Sequence, residues 1–231
     1  MTASPHPNIW ILIPAYNEAR VIASVIRNLQ SHNHKNILII DDGSSDDTFQ
    51  KASETGVEVL QQIINRGQGA ALKVGINYLA QTVRPDIIVT FDADGQHRPQ
   101  DIPTLVAPIV NDQADIVLGS RFLDQKKPIP FMRKIILRLG ILFTNTLSHV
   151  QLTDTHNGLR ALNRKAYTSI HITHRGMEHA SDIIEEISTK KLRYTEVPVH
   201  IAYTNYSIQK GQRSSQFIKL GLKILIHKYI S

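Results

Sequence analysis

The first 120 or so positions alternate short apolar runs with segments whose apolar residues recur every three or four places. "IWILIPA" (Ile9–Ala15), "NILIIDD" (36–42), "VEVLQQ" (57–62), "DIIVTFDAD" (86–94) and "ADIVLGSR" (114–121) are rich in apolar and β-branched residues and read as strands, most of them buried. Between them, "EARVIASVIRNLQ" spaces Val21, Ile22, Val25, Ile26 and Leu29 for one face of a helix. "SDDTFQKASE" begins like a capped helix, with Ser45 or Asp46 as N-cap. "GQGAALKVGINYLA" is a helix opened by glycines, and "PQDIPTLVAPIV" a helix with Pro99 near its start. This β-α-β-α-β order predicts an α/β fold: a mostly parallel central sheet with helices on both faces.

After Arg121 the pattern changes. "FMRKIILRLGILFTNTL" (131–147) is an apolar helical segment interrupted by Arg133, Lys134 and Arg138. "DTHNGLRALNR" is a polar loop leading into a short strand, "MEHASDIIEEISTKK" a helix, and "RYTEVPVHIAY" an extended segment. Near the end, Lys219, Lys223 and His227 recur every four residues on an otherwise apolar helix. That stripe suits a helix lying in a membrane interface, and equally a core or dimer helix with a solvated basic face.

Composition narrows the class. A chain of 231 residues fits one α/β domain with a C-terminal extension, and 42% hydrophobic against 20% charged residues supports a packed core. The absence of cysteine excludes disulfides and thiolate chemistry and is compatible with a reducing cytosol. "MTASPHPN" lacks a basic segment followed by an apolar core, so no secretory signal is expected. No window reaches the roughly 18 uninterrupted apolar residues of a membrane span. A net charge of +6 suits nucleic acid, anionic lipid or phosphorylated substrates. Dispersed basic residues without a helix-turn-helix or RNA-binding signature disfavour nucleic acid.

The strands end in polar residues: Asn17 and Glu18, Asp41 and Asp42, Asp92 and Asp94, Ser120 and Arg121. In open α/β sheets ligands bind outside the carboxyl ends of the strands. If the chain of "VTFDADGQHRP" is still extended at Asp92 and Asp94, both carboxylates project to one face. There they raise a pKa or bind a cation. A hard divalent ion takes one or two carboxylates plus substrate phosphates, and Gln96 would add an oxygen and His97 a nitrogen. The competing reading is a solvated turn, since Asp-Gly is a common turn pair. In "DDGSSDDT", helix capping accounts for Ser45, Asp46 and Asp47, but less well for Asp41 and Asp42, which finish an apolar strand. Asp42 suits a hydrogen bond from a base or ribose. "NRGQGAALKVG" matches neither G-x-x-x-x-G-K-[ST] nor G-x-G-x-x-G; its glycines either let backbone N–H groups approach an anion or simply start the helix.

Taken in order, "IPAYNE", "DDGSSDDT", "NRGQGAALKVGI", "DADGQHRP", "GSR" and "DTHNGLRA" resemble family 2 glycosyltransferases of the GT-A (Rossmann-like) fold. The set is similar to their polyprenyl-phosphate, dolichol-phosphate mannose synthase-like branch, over residues 9–199. The resemblance implies a catalytic domain over residues 1–205, with 206–231 a basic amphipathic extension of it. It implies that Pro14, Tyr16 and Glu18 cradle the base and ribose and that Asp42 contacts the base. Gly67, Gln68 and Lys73 would line the nucleotide, with Asp92 and Ala93 at the donor. Asp94 would be the main ligand of Mg²⁺ or Mn²⁺, assisted by Asp92 and Gln96. Arg121 would face the phosphates. Asp154, Asn157, Gly158 and Arg160 would close over donor sugar and acceptor. Arg133, Lys210 and Arg213 would meet an acceptor phosphate.

The implied reaction is an inverting, metal-dependent displacement from a UDP- or GDP-sugar. A polyprenyl phosphate acceptor needs no strong base. A saccharide hydroxyl, as in surface polysaccharide synthesis, needs a carboxylate to take its proton: Asp154 first, then Glu178 or Asp182, whose competing role is to complement a helix dipole. A nucleotide-sugar-binding or nucleotidyl-transferring protein is the alternative from another class, and the first strand lacks the G-x-G-x-R-like loop it would need. Many lipid-phosphate relatives carry transmembrane helices after this domain and others do not. The expectation here is a peripheral protein at the cytoplasmic membrane face, reaching its acceptor by surface helices or a membrane-protein partner.

Overall fold

The computed structural model describes residues 7–123 and 150–202. Arg133, Lys210 and Arg213, and the basic segments expected at 131–147 and 206–231, lie outside the described residues. The strands are β1 (Ile9–Ala15), β2 (Ile37–Asp41), β3 (Glu58–Gln61), β4 (Ile87–Thr90), β5 (Ile116–Ser120), β6 (Arg160–Asn163) and β7 (Tyr194–Pro198). The helices are α1 (Ile22–Ser31), α2 (Thr48–Ser53), α3 (Gln68–Thr82), α4 (Ile102–Val110), α5 (Arg164–Ser169) and α6 (His179–Thr189), with a 3₁₀ turn at Pro99–Asp101 leading into α4. Among the described residues no helix is long and apolar enough to cross a membrane.

The strands form one sheet in the order β3-β2-β1-β4-β6-β5-β7. Pairing is parallel except at β6, which runs antiparallel to both β4 and β5. Side chains alternate between the faces with a period of two. Ile11, Ile13, Ile37, Ile39 and Val89 pack with α1 and α4. Leu12, Leu38, Ile40 and Ile88 pack with α3, α5 and α6. All nine are essentially inaccessible to water. That double burial explains why the strands read as continuous apolar runs.

Two features of this topology make the site. β2 and β4 flank β1: the chain runs from β1 out to β2 and β3 on one side and then crosses to β4 on the other, so a crevice opens between the carboxyl ends of β1 and β4. The reversed β6 pairs its first residue, Arg160, with Thr90, the last of β4. The polar loop before β6 is thereby delivered to the same lip.

Two local expectations are corrected. The chain is not extended at the acidic pair: β4 ends at Thr90, and after Phe91 donates to Leu12 O at 3.0 Å a turn carries Gly95 at φ 75°. Asp94 Oδ1 accepts the Gln96 N–H at 3.0 Å, the Asx turn that short acidic side chains favour over continued strand. At α2 the N-cap is Asp47, with no side-chain cap bond. Asp46 accepts Thr48 N–H at 3.1 Å, and Ser45 is drawn away, its N–H donating to Asn17 Oδ1 at 2.9 Å.

Candidate active site

The loops after β1 and β2 are stitched together. Asn17 sits at φ 52° and receives Ser45 while its own N–H donates to Ser44 Oγ at 2.9 Å. Glu18 N–H donates to the buried Thr48 Oγ1 at 2.8 Å. Pro14 is a buried rung of β1 opposite Ile40, so it supports the lip from below rather than lining it. Tyr16 stands 42% exposed at the rim. Asp42, 2% exposed, accepts the N–H groups of Arg66 at 2.9 Å and Gly67 at 2.7 Å, and Gln62 Nε2 at 2.9 Å. It thus holds the glycine loop in place, and its carboxylate still has lone pairs for a ligand N–H. Gly67 takes φ 96° with Arg175 O only 2.4 Å from where a Cβ would stand, so glycine is required there.

Asp92 is the centre of the cluster. His97 Nε2 lies 2.9 Å from its Oδ2, and Gln68 Nε2 donates to its Oδ1 at 3.2 Å. The backbone of Gly158 presses against the same carboxylate: a Cβ on Gly158 would sit 2.5 Å from both oxygens. Burial pushes Asp92 up, but His97 by charge and hydrogen bond, helped by His179 and Arg160, outweighs it and holds the carboxyl below its usual range. Asp94 goes the other way, raised by burial and by the charge of Asp92. Gln96 donates Nε2 to Asp94 Oδ2 at 2.5 Å, so as placed it orients that carboxylate rather than offering an oxygen. His97, 5% exposed and edge-on to Phe91 with ring centroids 5.3 Å apart, is a partner of Asp92 rather than an independent ligand.

Across the lip, Arg121 and Asp154 form a two-pronged pair, Nε to Oδ2 at 2.7 Å and Nη2 to Oδ1 at 2.8 Å. The Arg121 N–H adds a third bond at 3.1 Å. Burial alone would raise Asp154; Arg121 reverses that and lowers it. A carboxylate so occupied and so acidic is a poor proton acceptor, which corrects the expectation of Asp154 as general base. Glu196 on β7 fixes the loop from behind, accepting the N–H groups of Thr153 at 2.8 Å and Asp154 at 3.0 Å. Arg160, 2% exposed, lies beneath the loop rather than over the donor. Its burial brings its pKa down to about 10 against the pull of Asp92 and Asp154, for which it is the shared countercharge.

The remaining expected residues separate. Ala93 is packed into the core on the α1 side. Asn157 is buried, its Oδ1 accepting Leu159 N–H at 2.9 Å, and so shapes its loop rather than presenting itself to an acceptor. Glu178 is the N-cap of α6, with its carboxylate beside Gly176. Asp182 binds the N–H groups of Thr173 at 2.8 Å and His174 at 2.7 Å, which removes it as a base. Lys73 is not joined to the Asp42 and Asp92 cluster; it opens into a side groove with Asn77, Thr173 and Arg175. His179 is the residue sequence reasoning missed. It is 4% exposed, its Nδ1 is 2.9 Å from Gly176 O, and burial and Arg160 lower its pKa to about 4. Only its position at the start of a helix after a glycine hinted at a role.

Three buried polar atoms have no hydrogen-bond partner among the described residues: His97 Nδ1, Asn157 Nδ2 and Arg160 Nε. All belong to residues around Asp92. Buried polar groups are nearly always satisfied, so unspent hydrogen-bonding capacity concentrated here marks a place for a polar ligand. No group of three or more His, Cys, Asp or Glu side chains able to hold a metal is found among the described residues. Two neighbouring carboxylates, one of them raised by burial and by the charge of the other, fit a hard divalent cation that takes its other ligands from phosphates.

A solved structure of glucosyl-3-phosphoglycerate synthase from Mycobacterium tuberculosis, in complex with Mn²⁺, UDP and phosphoglyceric acid, superposes with a TM-score of 0.71 at 21% identity, covering 94% of this chain and 78% of that one; it shares the fold. The UDP-N-acetylglucosamine–dolichyl-phosphate N-acetylglucosaminyltransferase of Methanococcus voltae is 36% identical over 95% of this chain and 96% of its own length. The undecaprenyl-phosphate mannosyltransferase of Micrococcus luteus is 29% identical over 83% and 82%. The profile of glycosyl transferase family 2 matches residues 10–170, and with the fold, the strand-end acids and these relatives it makes the chain a member of that glycosyltransferase family.

Proposed function

We propose that this glycosyltransferase moves a sugar, with inversion and with the help of a divalent cation, from a UDP- or GDP-sugar to a polyprenyl phosphate. The observation that carries the reading is the Asp92–Asp94 pair in the turn after β4, where burial and the charge of Asp92 together raise the Asp94 carboxyl. A Mg²⁺ or Mn²⁺ ion held by Asp94 and Asp92, with Gln96 beside them, would supply a Lewis acid and template for the donor pyrophosphate. The Asp42 loop and Tyr16 take the nucleotide. Arg121, oriented by Asp154, stabilises charge on the departing phosphates.

The candidate bases support this acceptor. Asp154 and Asp182, which would serve a hydroxyl acceptor, are both held by other partners, and Glu178 stands at the N-cap of α6 beside Gly176. A phosphate monoester brings an oxygen already anionic at neutral pH. That oxygen attacks the anomeric carbon, the bond from carbon to the nucleoside diphosphate breaks, and no proton has to move. The names of the archaeal and bacterial relatives support the same acceptor class. Such an acceptor lies in a membrane, so the protein would work at its surface.

The test begins with a melting-temperature screen of UDP-, GDP- and CDP-sugars with Mn²⁺, since a bound donor raises apparent stability by mass action. Asp94→Ala should then abolish both nucleoside diphosphate release and the metal-dependent part of that rise. Retained turnover overturns the role of Asp94. Labelled sugar should partition into organic solvent when polyprenyl phosphate is supplied; label confined to water overturns the acceptor.

A further inference from the structure

A groove of about 350 Å³ runs between α3 and residues 172–175. Arg66, Lys73 and Arg175 line it, with Asn77 and Thr173 between them. None of these three cationic side chains has a hydrogen-bond or ion-pair partner among the described residues. Other cations of the protein are paired, Arg121 with Asp154 and Lys165 and Arg193 with Asp115. Three unpaired positive charges around one concavity repel one another and focus a field that attracts anions.

The groove is also preformed. Ala70 N–H donates to Arg175 O at 3.2 Å, tying one wall to the other. Thr173 and His174 are anchored from behind by Asp182, whose oxygens accept both N–H groups and contact His174 Nδ1 at 2.5 Å. The Asp182 carboxylate is therefore occupied by its own loop. The groove adjoins the glycine loop at Arg66 and runs on past it, away from Asp92. Gln68, at the start of α3, reaches Asp92, whereas Lys73 and Asn77 lie further along the same helix.

We propose that this groove is a second anion site that binds a phosphate oxyanion, gripped by the guanidinium groups of Arg66 and Arg175 with Lys73 opposite. The phosphate is either that of an anionic lipid headgroup or a soluble one. The inference does not depend on which reaction the Asp92 site performs.

The test uses the full-length chain, ¹⁵N-labelled. Titration with inorganic phosphate should shift the Ala70, Thr173 and His174 amides saturably. Arg175→Glu and, on the opposite wall, Lys73→Glu should each weaken that binding by about tenfold or more, the loss of a charge-assisted contact. In parallel, the protein is sedimented with phosphatidylcholine vesicles with and without phosphatidylglycerol. Pelleting that requires phosphatidylglycerol and falls in both variants assigns the site to a lipid headgroup. Saturable phosphate shifts without such pelleting assign it to soluble phosphate. The proposal is overturned if those amides do not shift and vesicle binding is indifferent to both substitutions. Phosphate binding unchanged in two folded charge-reversal variants overturns it equally.

Discussion

Replacing Asp154 by Asn separates two roles for that residue. Asp154 accepts three bonds from Arg121, at 2.7, 2.8 and 3.1 Å. Asn offers one acceptor oxygen and turns an NH₂ donor against a guanidinium. Hydrogen bonds to charged groups are each worth ~1.5–3 kcal/mol, and removing one partner of a buried pair costs ~3–5 kcal/mol. The Arg121 side chain is 20% exposed, so water recovers part of the loss; about 3 kcal/mol remains. For a chain of this size that is a fall of roughly 6–12 °C in melting temperature. Urea denaturation followed by the fluorescence of Trp10, the single tryptophan, measures it. Because the folded carboxyl is held below its usual value, this stability is present at neutral pH. It fades only on acidification below about pH 4. A destabilisation under about 0.5 kcal/mol at pH 7, within the range of an ordinary surface change, would refute the reasoning. Kinetics give the second readout. If Asp154 positions Arg121, Arg121→Lys should cost turnover comparably with Asp154 intact, and the two substitutions should be strongly non-additive. A general base would instead lose turnover in Asp154→Asn with stability preserved.

Gly158→Ala places a methyl 2.5 Å from the oxygens of Asp92; about 1–3 kcal/mol of overpacking cost is expected, with metal-dependent donor binding lost in a melting assay while the chain stays folded. Asp182→Asn should release residues 173–174, since it removes the acceptor for both their N–H groups. Hydrogen exchange at the Thr173 and His174 amides should quicken by about tenfold or more, with Val89 in the central sheet unchanged. Unchanged exchange at His174 would show that another contact holds the segment.

Much of the framework was legible because burial on both faces writes itself locally. The runs at Ile9–Ala15, Ile37–Asp41 and Ile116–Ser120 are apolar because water reaches neither face of the sheet. A parallel sheet then forces strand-end acids to one lip, so the neighbourhood of Asp42 and Asp92 could be named from order alone. The division of labour within it could not. Asp92 and Asp94 look alike in sequence, yet His97 outweighs burial and lowers one, while burial and the charge of its neighbour raise the other.

What the sequence determined by itself was the alternation of elements, the class of fold and the motif set that marks the family, since each is a pattern over neighbouring residues. What only tertiary structure decided was who meets whom. The antiparallel course of β6 brings Arg160 under Asp92 and Gly158 against it, 68 residues beyond Thr90. Asp154 becomes the clamp of Arg121 rather than a base, and Lys73 lines a groove beside the glycine loop with Arg66 and Arg175. Electrostatic and steric roles depend on distance in space, and a chain specifies that distance only once its sheet has closed.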